Sequence, residues 1–163
     1  KNGNLLTSAA DPEYIAPHCK KYEDYDRVMD AGASSKNIYF IRYADLILLY
    51  AECLLAENDL AGAKQQVIRV RNRAKVSTPI TASNNTEMLD FIYEERMREL
   101  GMEGWRRMDL IRRGADYFAA QVDKYNPFAK GNVQPYHAFY PIPTNEINMN
   151  DGIGAEDQNE GYK

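Results

Sequence analysis

The chain has 163 residues, of which 44% are hydrophobic and 27% are charged, and its formal net charge at pH 7 is -4. This length and composition are those of a globular domain with its own core, and they exclude a wholly disordered chain. Charges of both signs are interspersed, which excludes the basic field that nucleic acid or an anionic membrane surface requires, and no apolar stretch approaches the roughly 20 residues of a membrane-spanning helix.

Residues 1–38 are polar, contain prolines and follow no helical period. The sequence starts at Lys1 with neither an initiator methionine nor an apolar leader, so we expect any targeting segment to have been removed or to lie outside this chain. We therefore expect residues 1–38 to be a loop-rich lead-in from an N-terminal region missing here, followed by a helical domain over residues 39–163.

The cysteines and histidines predict neither a metal site nor a redox site. Cys19 and Cys53 form no CxxC motif, and we interpret both as structural. Cys53 falls in a helix that the pattern predicts to be buried, where a free cysteine behaves as a small hydrophobe. His18 lies next to Cys19, but His137 is the only other histidine, so the sequence offers no set of metal ligands.

Helical periodicity starts abruptly at Tyr39 and continues to Glu57. Apolar residues fill most of this stretch, and its charged residues fall on one narrow stripe, which predicts a helix buried on nearly all sides. A turn at Asn58 and Asp59 leads to a second helix, whose apolar residues recur at steps of three and four up to Ala74. The sequence therefore predicts an antiparallel helical hairpin.

This hairpin has the length of a tetratricopeptide repeat. It spans 34 residues from Ile41 to Ala74, which is the period of that repeat. One such unit cannot bury both of its faces, so we expect it to stack against a helix pair over residues 87–113. Asn84 and Glu87 mark the start of that pair as a capping box.

Regular helix is expected to end soon after Gly114. A short amphipathic piece, residues 117–122, is followed by prolines, glycines and asparagines that favour turns. The closing residues must be held by packing, because a turn-rich terminus otherwise frays. We therefore predict an all-α protein of tetratricopeptide-like helical hairpins with an irregular, loop-rich C-terminal tail.

The densest charge pattern lies between Glu94 and Gly114. A helical period places Arg96 in the middle of an apolar face. Because a guanidinium keeps its charge, its burial requires carboxylates beside it, and Glu99 and Glu103 flank this face. Two helices meet here at a glycine elbow. We predict that six residues form a structural ion-pair cluster: Arg96, Glu99, Glu103, Arg106, Asp109 and Arg112.

The same region allows a second interpretation. The carboxylates of Glu95, Glu99, Glu103 and Asp109 include the pair of acids that a glycosidase places on either side of a sugar bond. The arginines favour the structural interpretation, because they hold carboxylates ionised, whereas a general acid needs a raised pKa. Since no nucleophile, metal-ligand set or phosphate-binding glycine loop accompanies these acids, the sequence predicts no enzyme and no cofactor.

Three separated segments carry a family resemblance. The first is IRYADLILLYAE, residues 41–52, with Asp45 where the family usually has glutamate. The second is the charged string of residues 94–114, which contains the patterns Glu-Arg-x-x-Glu-Leu, Glu-Gly-x-Arg and Asp-Leu-x-Arg. The third is YPIPTNEINMN followed by QNEGY, with Glu160 where the family has proline. Together they resemble the C-terminal part of the SusD/RagB family of outer-membrane nutrient-binding lipoproteins.

The resemblance implies a lipid-anchored protein on the extracellular face of the cell outer membrane. Such a protein would bind glycan or peptide nutrients and deliver them to a TonB-dependent, SusC-like transporter. The resemblance reaches only the last third of a typical member, so we expect the lipid-bearing cysteine and the long N-terminal helical region of the family to lie outside this chain.

The candidate ligand-binding residues are Tyr125 and Tyr136. Sugar sites in such proteins use exposed aromatic faces with polar groups around them, and both tyrosines lie in predicted loops. The alternative is that the chain is a tetratricopeptide-like scaffold that binds a peptide in a helical groove, which rests on the 34-residue hairpin.

Overall fold

The computed structural model describes residues 21–22, 34 and 36–163. The chain divides into two units, Lys1–Phe40 and Ile41–Lys163. Every helix among the described residues lies in the second unit. The predicted lead-in falls almost entirely outside the described residues, so the division into a lead-in of residues 1–38 and a helical domain stays a prediction.

Residues 36–163 contain six α-helices, two short 3-10 helices and no strand. The α-helices are α1 Tyr43–Ala56, α2 Leu60–Arg73, α3 Asn85–Glu99, α4 Arg106–Arg112, α5 Ala115–Tyr125 and α6 Thr144–Met149. The 3-10 helices are Pro135–Ala138 and Ala155–Asp157. These elements confirm the predicted all-α class. Among the described helices, none combines the length and the hydrophobicity that crossing a membrane requires.

The helices α1 and α2 form a hairpin around a tight turn. Asn58 takes a left-handed conformation with φ 61°, which asparagine tolerates better than most residues. Asp59 caps α2 by accepting a hydrogen bond from the Gly62 amide at 2.8 Å. Ala51 and Ala63 are fully buried, and their small side chains let the two helices approach closely. The core shared with α3 contains Leu48, Val67, Met88 and Ile92.

The helix α1 is buried on one side only, so the prediction of burial on nearly all sides is wrong. One side packs on α2 and α3, whereas Tyr43, Leu46, Tyr50 and Cys53 are exposed. The continuous apolar run hides the helical period, so the sequence does not reveal which face lacks a packing partner. The interpretation of Cys53 as a buried small hydrophobe is wrong for the same reason, and Cys19 lies outside the described residues.

The start of α3 differs slightly from the expected capping box. Asn84 Oδ1 accepts a hydrogen bond from the Glu87 amide at 2.9 Å, as the motif requires. The Glu87 carboxylate, however, accepts hydrogen bonds from the amide and the hydroxyl of Ser83, at 2.7 and 2.8 Å. These bonds, first of all the one from the Ser83 amide, lower the pKa of Glu87.

A second, smaller core joins α4, α5 and the 3-10 helix Pro135–Ala138. Its buried residues are Leu110, Phe118 and Ala138. Gly114 connects α4 directly to α5 with φ 104°, a conformation that residues with a Cβ rarely adopt. The helix α5 is therefore longer than the expected amphipathic piece, because it begins immediately after this glycine.

The C-terminal tail is held by side chains that bind the backbone of an earlier segment. Gln158 Oε1 accepts a hydrogen bond from the Ile142 amide at 2.7 Å, and Gln158 Nε2 donates to the Ile142 carbonyl at 2.9 Å. Pro141 and Pro143 lack an amide hydrogen, so Ile142 carries the single amide donor of the Pro-Ile-Pro segment. Gln158 therefore satisfies both polar groups of the Ile142 backbone.

Two further bonds fix the same contact. Asn159 Nδ2 donates to the Tyr140 carbonyl at 2.6 Å, and the Tyr162 hydroxyl donates to the Phe139 carbonyl at 3.1 Å. The C-terminal tail is thus attached to the backbone of residues 139–142 through the side chains of Gln158, Asn159 and Tyr162.

Candidate functional site

Arg96 of α3 lies at the centre of a buried network of charges. Its exposed fraction is 2%, and its Nη1 lies 2.7 Å from Asp45 Oδ1 on α1. Its Nε donates to Asp109 Oδ2 on α4 at 2.9 Å, and its Nη2 lies 2.9 Å from Asp109 Oδ1. One guanidinium therefore pairs with carboxylates from two other helices, and it binds the Asp109 carboxylate through two of its nitrogens.

Arg112 of α4 brings a second positive charge to this network. Its Nη1 and Nη2 lie 3.0 and 3.1 Å from the two carboxylate oxygens of Glu52 on α1. Arg112 Nη2 also lies 3.3 Å from Asp109 Oδ1, and Glu52 Oε1 lies 3.9 Å from Arg96 Nε. Two guanidiniums and the carboxylates of Asp45, Glu52 and Asp109 thus connect α1, α3 and α4.

The pKa shifts within the network reflect this pairing. Burial lowers the pKa of Arg96, but the hydrogen bond with Asp109 and the charges of Asp109 and Asp45 outweigh burial, so the pKa is raised. The hydrogen bond with Glu52 raises the pKa of Arg112. Both arginines are therefore fixed positive charges.

Tyr93 of α3 borders the same network. Its hydroxyl donates to Glu52 Oε2 at 3.3 Å. Burial, together with the negative charge of Glu52, raises the pKa of Tyr93 to about 12. The phenol therefore keeps its proton and acts as a hydrogen-bond donor to the carboxylate.

Glu99 and Glu103 pair with Arg42 rather than with Arg96. Arg42 Nε donates to both carboxylate oxygens of Glu103, at 3.0 and 2.9 Å, and its Nη1 donates to Glu99 Oε1 at 2.8 Å. Arg73 Nη2 adds a bond of 2.6 Å to Glu99. The sequence places the two glutamates near Arg96 because they share a helical pattern, but it gives no sign that Arg42 reaches them when α1 stacks on α3.

Arg106, the remaining residue of the predicted cluster, pairs with backbone. Its Nη1 donates to the Tyr93 carbonyl at 3.1 Å, and it forms no ion pair with any residue that the structure describes. The predicted six residues therefore divide into a network around Arg96, Asp109 and Arg112, a separate group around Glu99 and Glu103, and this single backbone contact.

Sequence reasoning missed a further buried ion pair. Arg71 Nη1 of α2 lies 3.0 Å from Glu95 Oε2 of α3, and both residues are buried. Arg71 Nη2 also donates to the Thr78 carbonyl at 2.6 Å. Arg71 lies four residues after Val67, which is on the apolar face of α2. The same pattern that singled out Arg96 could therefore have found Arg71.

Chemically, this arrangement is suited to holding helices together. The four carboxylates of the alternative acid/base set, Glu95, Glu99, Glu103 and Asp109, each lie within ion-pair distance of at least one guanidinium. Carboxylates placed in this way serve as hydrogen-bond acceptors for the guanidinium groups. No group of three His, Cys, Asp or Glu side chains within the described part of the chain is placed to hold a metal ion.

The two candidate ligand-binding tyrosines lie in different places. Tyr125 ends α5 and is exposed, with the Lys124 Nζ 4.7 Å from its ring centroid and its hydroxyl 3.4 Å from Glu94 Oε1. Tyr136 lies in the 3-10 helix and lines a cavity that does not include Tyr125. The structure therefore does not bring these two residues together.

The cavity beside Tyr136 has a volume of about 730 Å³. Its lining includes Pro135, Tyr136 and Phe139 on one segment and Asn159 and Glu160 on the tail. Small-molecule sites in proteins commonly enclose roughly 300–1,000 Å³, so this space is large enough for a ligand.

Tyr136 itself also has a structural role. Its ring makes an edge-to-face contact with Tyr162, at a centroid distance of 5.1 Å. Gly161, with φ 87°, lies against the Tyr136 ring. A Cβ at this position would be only 2.3 Å from that ring. Tyr136 therefore helps to seat the tail and presents only part of its surface to the cavity.

The comparisons with known proteins agree with one another. The sequence profile of the SusD family matches residues 1–162. The SusD-like protein P25 of Formosa agariphila is 34% identical over 134 residues, covering 79% of this chain and 25% of that protein. The starch-binding protein SusD of Bacteroides thetaiotaomicron is 32% identical over 142 residues, covering 83% of this chain and 23% of that protein. No solved structure matches the chain.

This chain thus spans about a quarter of the length of these two relatives. The match nevertheless includes all three segments that carry the resemblance, which are residues 41–52, the charged string of residues 94–114 and the C-terminal segments YPIPTNEINMN and QNEGY. Because the family profile covers nearly every residue, the predicted resemblance is confirmed, and the chain belongs to the SusD family.

Proposed function

We propose that this chain is the C-terminal part of a cell-surface lipoprotein that binds glycans as nutrients and passes them to a TonB-dependent, SusC-like transporter. The observation that carries the proposal is the family match over residues 1–162, together with 32% identity to a protein named as starch-binding. In this proposal the protein lies on the extracellular face of the outer membrane and is attached to it by a lipid at its N-terminus.

The proposed role is binding without catalysis. The carboxylates that could serve as a glycosidase pair are held by arginines, which supports a structural use of the whole cluster. No cofactor is needed for such a role. Ligand contacts are proposed to come from aromatic faces, among them Tyr136 and Tyr125.

A glycan array with the complete protein that the gene encodes tests this function. The proposal expects binding to one class of oligosaccharide and co-purification with a TonB-dependent transporter from the outer membrane. Binding to no glycan, combined with the absence of any transporter partner, would contradict it.

A second candidate is a tetratricopeptide-like scaffold that binds a peptide. The exposed apolar face of α1, with Tyr43, Leu46 and Tyr50, favours this candidate, because helical repeats bind partners through such faces. Substituting all three residues with serine would abolish peptide binding if the scaffold is correct, and would leave glycan binding unchanged if it is not.

A further inference from the structure

The cavity between the 3-10 helix and the C-terminal tail, lined by Tyr136, Phe139, Asn159 and Glu160, combines aromatic rings with hydrogen-bond acceptors. We propose that it is a subsite for a neutral sugar ring and that it disfavours acidic sugars. This inference rests on the proposed glycan-binding function and adds to it a place in this chain and a class of ligand.

Two aromatic rings, those of Tyr136 and Phe139, line the cavity. Phe139 is 57% exposed, although the segment that carries it is fixed by the hydrogen bond from Tyr162 to the Phe139 carbonyl. Tyr136 lines the same cavity and is held by its contacts with Gly161 and Tyr162. A sugar ring has an apolar face of C–H groups that packs on such rings, and a fixed ring loses little entropy when it binds.

The polar groups that line the cavity are mainly hydrogen-bond acceptors. The Glu160 carboxylate forms no hydrogen bond or ion pair with any residue that the structure describes, and it lines the cavity. Asn159 uses its Nδ2 on the Tyr140 carbonyl, which leaves its Oδ1 free of partners within the described residues. Carboxylate and amide oxygens accept hydrogen bonds from hydroxyl groups, and a sugar presents several hydroxyl donors.

The charge of the cavity then sets its selectivity. Among the residues that the structure describes, no lysine or arginine lines the cavity, and the neighbouring Arg107 guanidinium is bound to the His137 and Ala138 carbonyls. A uronate carboxylate or a sulfate beside Glu160 brings like charges together, and because Glu160 is exposed, solvent and salt reduce this repulsion without abolishing it. A neutral sugar meets no such penalty.

The test is a titration of isotopically labelled residues 1–163, followed by amide NMR shifts. The probes are maltotriose, which is neutral, and trigalacturonate, which is acidic and of the same length. We expect saturable shifts at Tyr136, Phe139, Asn159 and Glu160 with maltotriose, with a dissociation constant of about 1–10 mM, and roughly threefold weaker binding of trigalacturonate at low salt.

Matched variants show whether the cavity is responsible. Phe139→Ala should abolish the maltotriose shifts, whereas Phe128→Ala, which removes a ring that is 95% exposed and outside the cavity, should not. Glu160→Gln should reduce the difference between the two sugars, whereas Glu156→Gln, elsewhere on the tail, should leave it unchanged. Both glutamates and Phe139 are exposed, so these changes are compatible with folding.

Three outcomes would overturn the inference. They are maltotriose shifts that do not saturate, maltotriose shifts that survive Phe139→Ala, and trigalacturonate binding that is as tight as maltotriose binding. If the complete protein still binds oligosaccharides in any of these cases, only the subsite is wrong and the proposed function stands. If the complete protein binds no glycan, the proposed function fails as well.

Discussion

Arg96 lies on the apolar face of α3, and removing its guanidinium leaves Asp45 and Asp109 buried without the cation that they share. Breaking a buried ion pair by removing one partner typically costs about 3–5 kcal/mol. We therefore predict that Arg96→Ala lowers the free energy of unfolding by roughly this amount. Urea denaturation of the two proteins measures the difference.

Arg73→Ala provides the matched control. Arg73 also pairs with a carboxylate, Glu99, but its side chain is exposed and Glu99 keeps its bond with Arg42. Exposed pairs are worth up to about 1 kcal/mol, so this variant should lose little stability. Equal losses in the two variants, or a wild-type unfolding curve for Arg96→Ala, would show that the network does not stabilise the fold as argued.

Tyr93 makes the stability depend on pH in the alkaline range. Its pKa is raised from an ordinary value of 10.0 to about 12, so between these values the folded protein holds a proton that the unfolded chain has lost. The contribution of Tyr93 is therefore complete below pH 10 and falls as the pH rises towards 12.

We predict that Tyr93→Phe removes this component. The free energy of unfolding of the variant should fall less steeply than that of wild type between pH 10 and 12, as measured by urea denaturation at steps across that window. Tyr50→Phe, on the exposed face of α1, should retain the wild-type slope. Parallel curves for wild type and Tyr93→Phe would mean that burial does not hold this proton.

At the residue scale, the sequence reveals which charges are buried more readily than it reveals their partners. Arg96 is recognised because a local period puts it on an apolar face. Its partner Asp45 lies on another helix, and the pair forms only when α1 stacks on α3. Arg42 meets Glu99 across 57 positions of sequence for the same reason. Such pairings depend on helix stacking, which local periodicity does not encode.

The position of the C-terminal tail depends on Gly161 for two reasons. Gly161 has a positive φ of 87°, and a Cβ there would lie 2.3 Å from the Tyr136 ring. Gly131 has a similar φ of 80°, but a Cβ there would meet no atom within 4 Å. Alanine at Gly131 therefore introduces only backbone strain, whereas alanine at Gly161 introduces both backbone strain and a steric clash.

We predict that Gly131→Ala costs about 1–2 kcal/mol, the strain of a left-handed residue with a Cβ, and that Gly161→Ala also displaces the tail. Amide hydrogen exchange at Ile142 reports this directly, because its N–H is bound by Gln158 of the tail. Exchange at Ile142 should accelerate in Gly161→Ala and stay unchanged in Gly131→Ala. Identical exchange in both variants would contradict the proposed contact.

The elements also show where sequence reasoning succeeds and fails. The hairpin, the start of α3 at Asn84 and the short helix α4 follow from periodicity and capping residues, which are local signals. These local signals predict neither the exposed face of α1 nor the full length of α5. Exposure depends on which neighbouring element is present, and the start of α5 depends on the positive φ that Gly114 adopts.

For the whole molecule, the use of its carboxylates as ion-pair partners leads to a prediction about activity. Glu99 and Asp109 are each bound by two arginines, which use the carboxylates as ion-pair partners. Incubation with a panel of polysaccharides should therefore release no reducing sugar. Release that is lost in Glu99→Gln or Asp109→Asn would establish the glycosidase alternative.

The candidate ligand site is the part least accessible to prediction from sequence. The sequence indicates Tyr136 as a loop aromatic, but the other residues of its cavity, such as Phe139, Asn159 and Glu160, come together only because the tail folds back through Gln158 and Tyr162. Tyr125 was selected by the same criterion and lies outside that cavity. Whether either tyrosine binds ligand stays a prediction.

We expect this chain to be part of a glycan-binding protein and to supply only some of its ligand contacts. Calorimetric titration of the complete protein and of residues 1–163, with the same oligosaccharide identified on the glycan array, tests it most directly. We predict measurable affinity for the complete protein and a dissociation constant weaker than about 1 mM for residues 1–163 alone. Tight binding by residues 1–163 alone, or failure of the complete protein to bind any glycan, would contradict the claim.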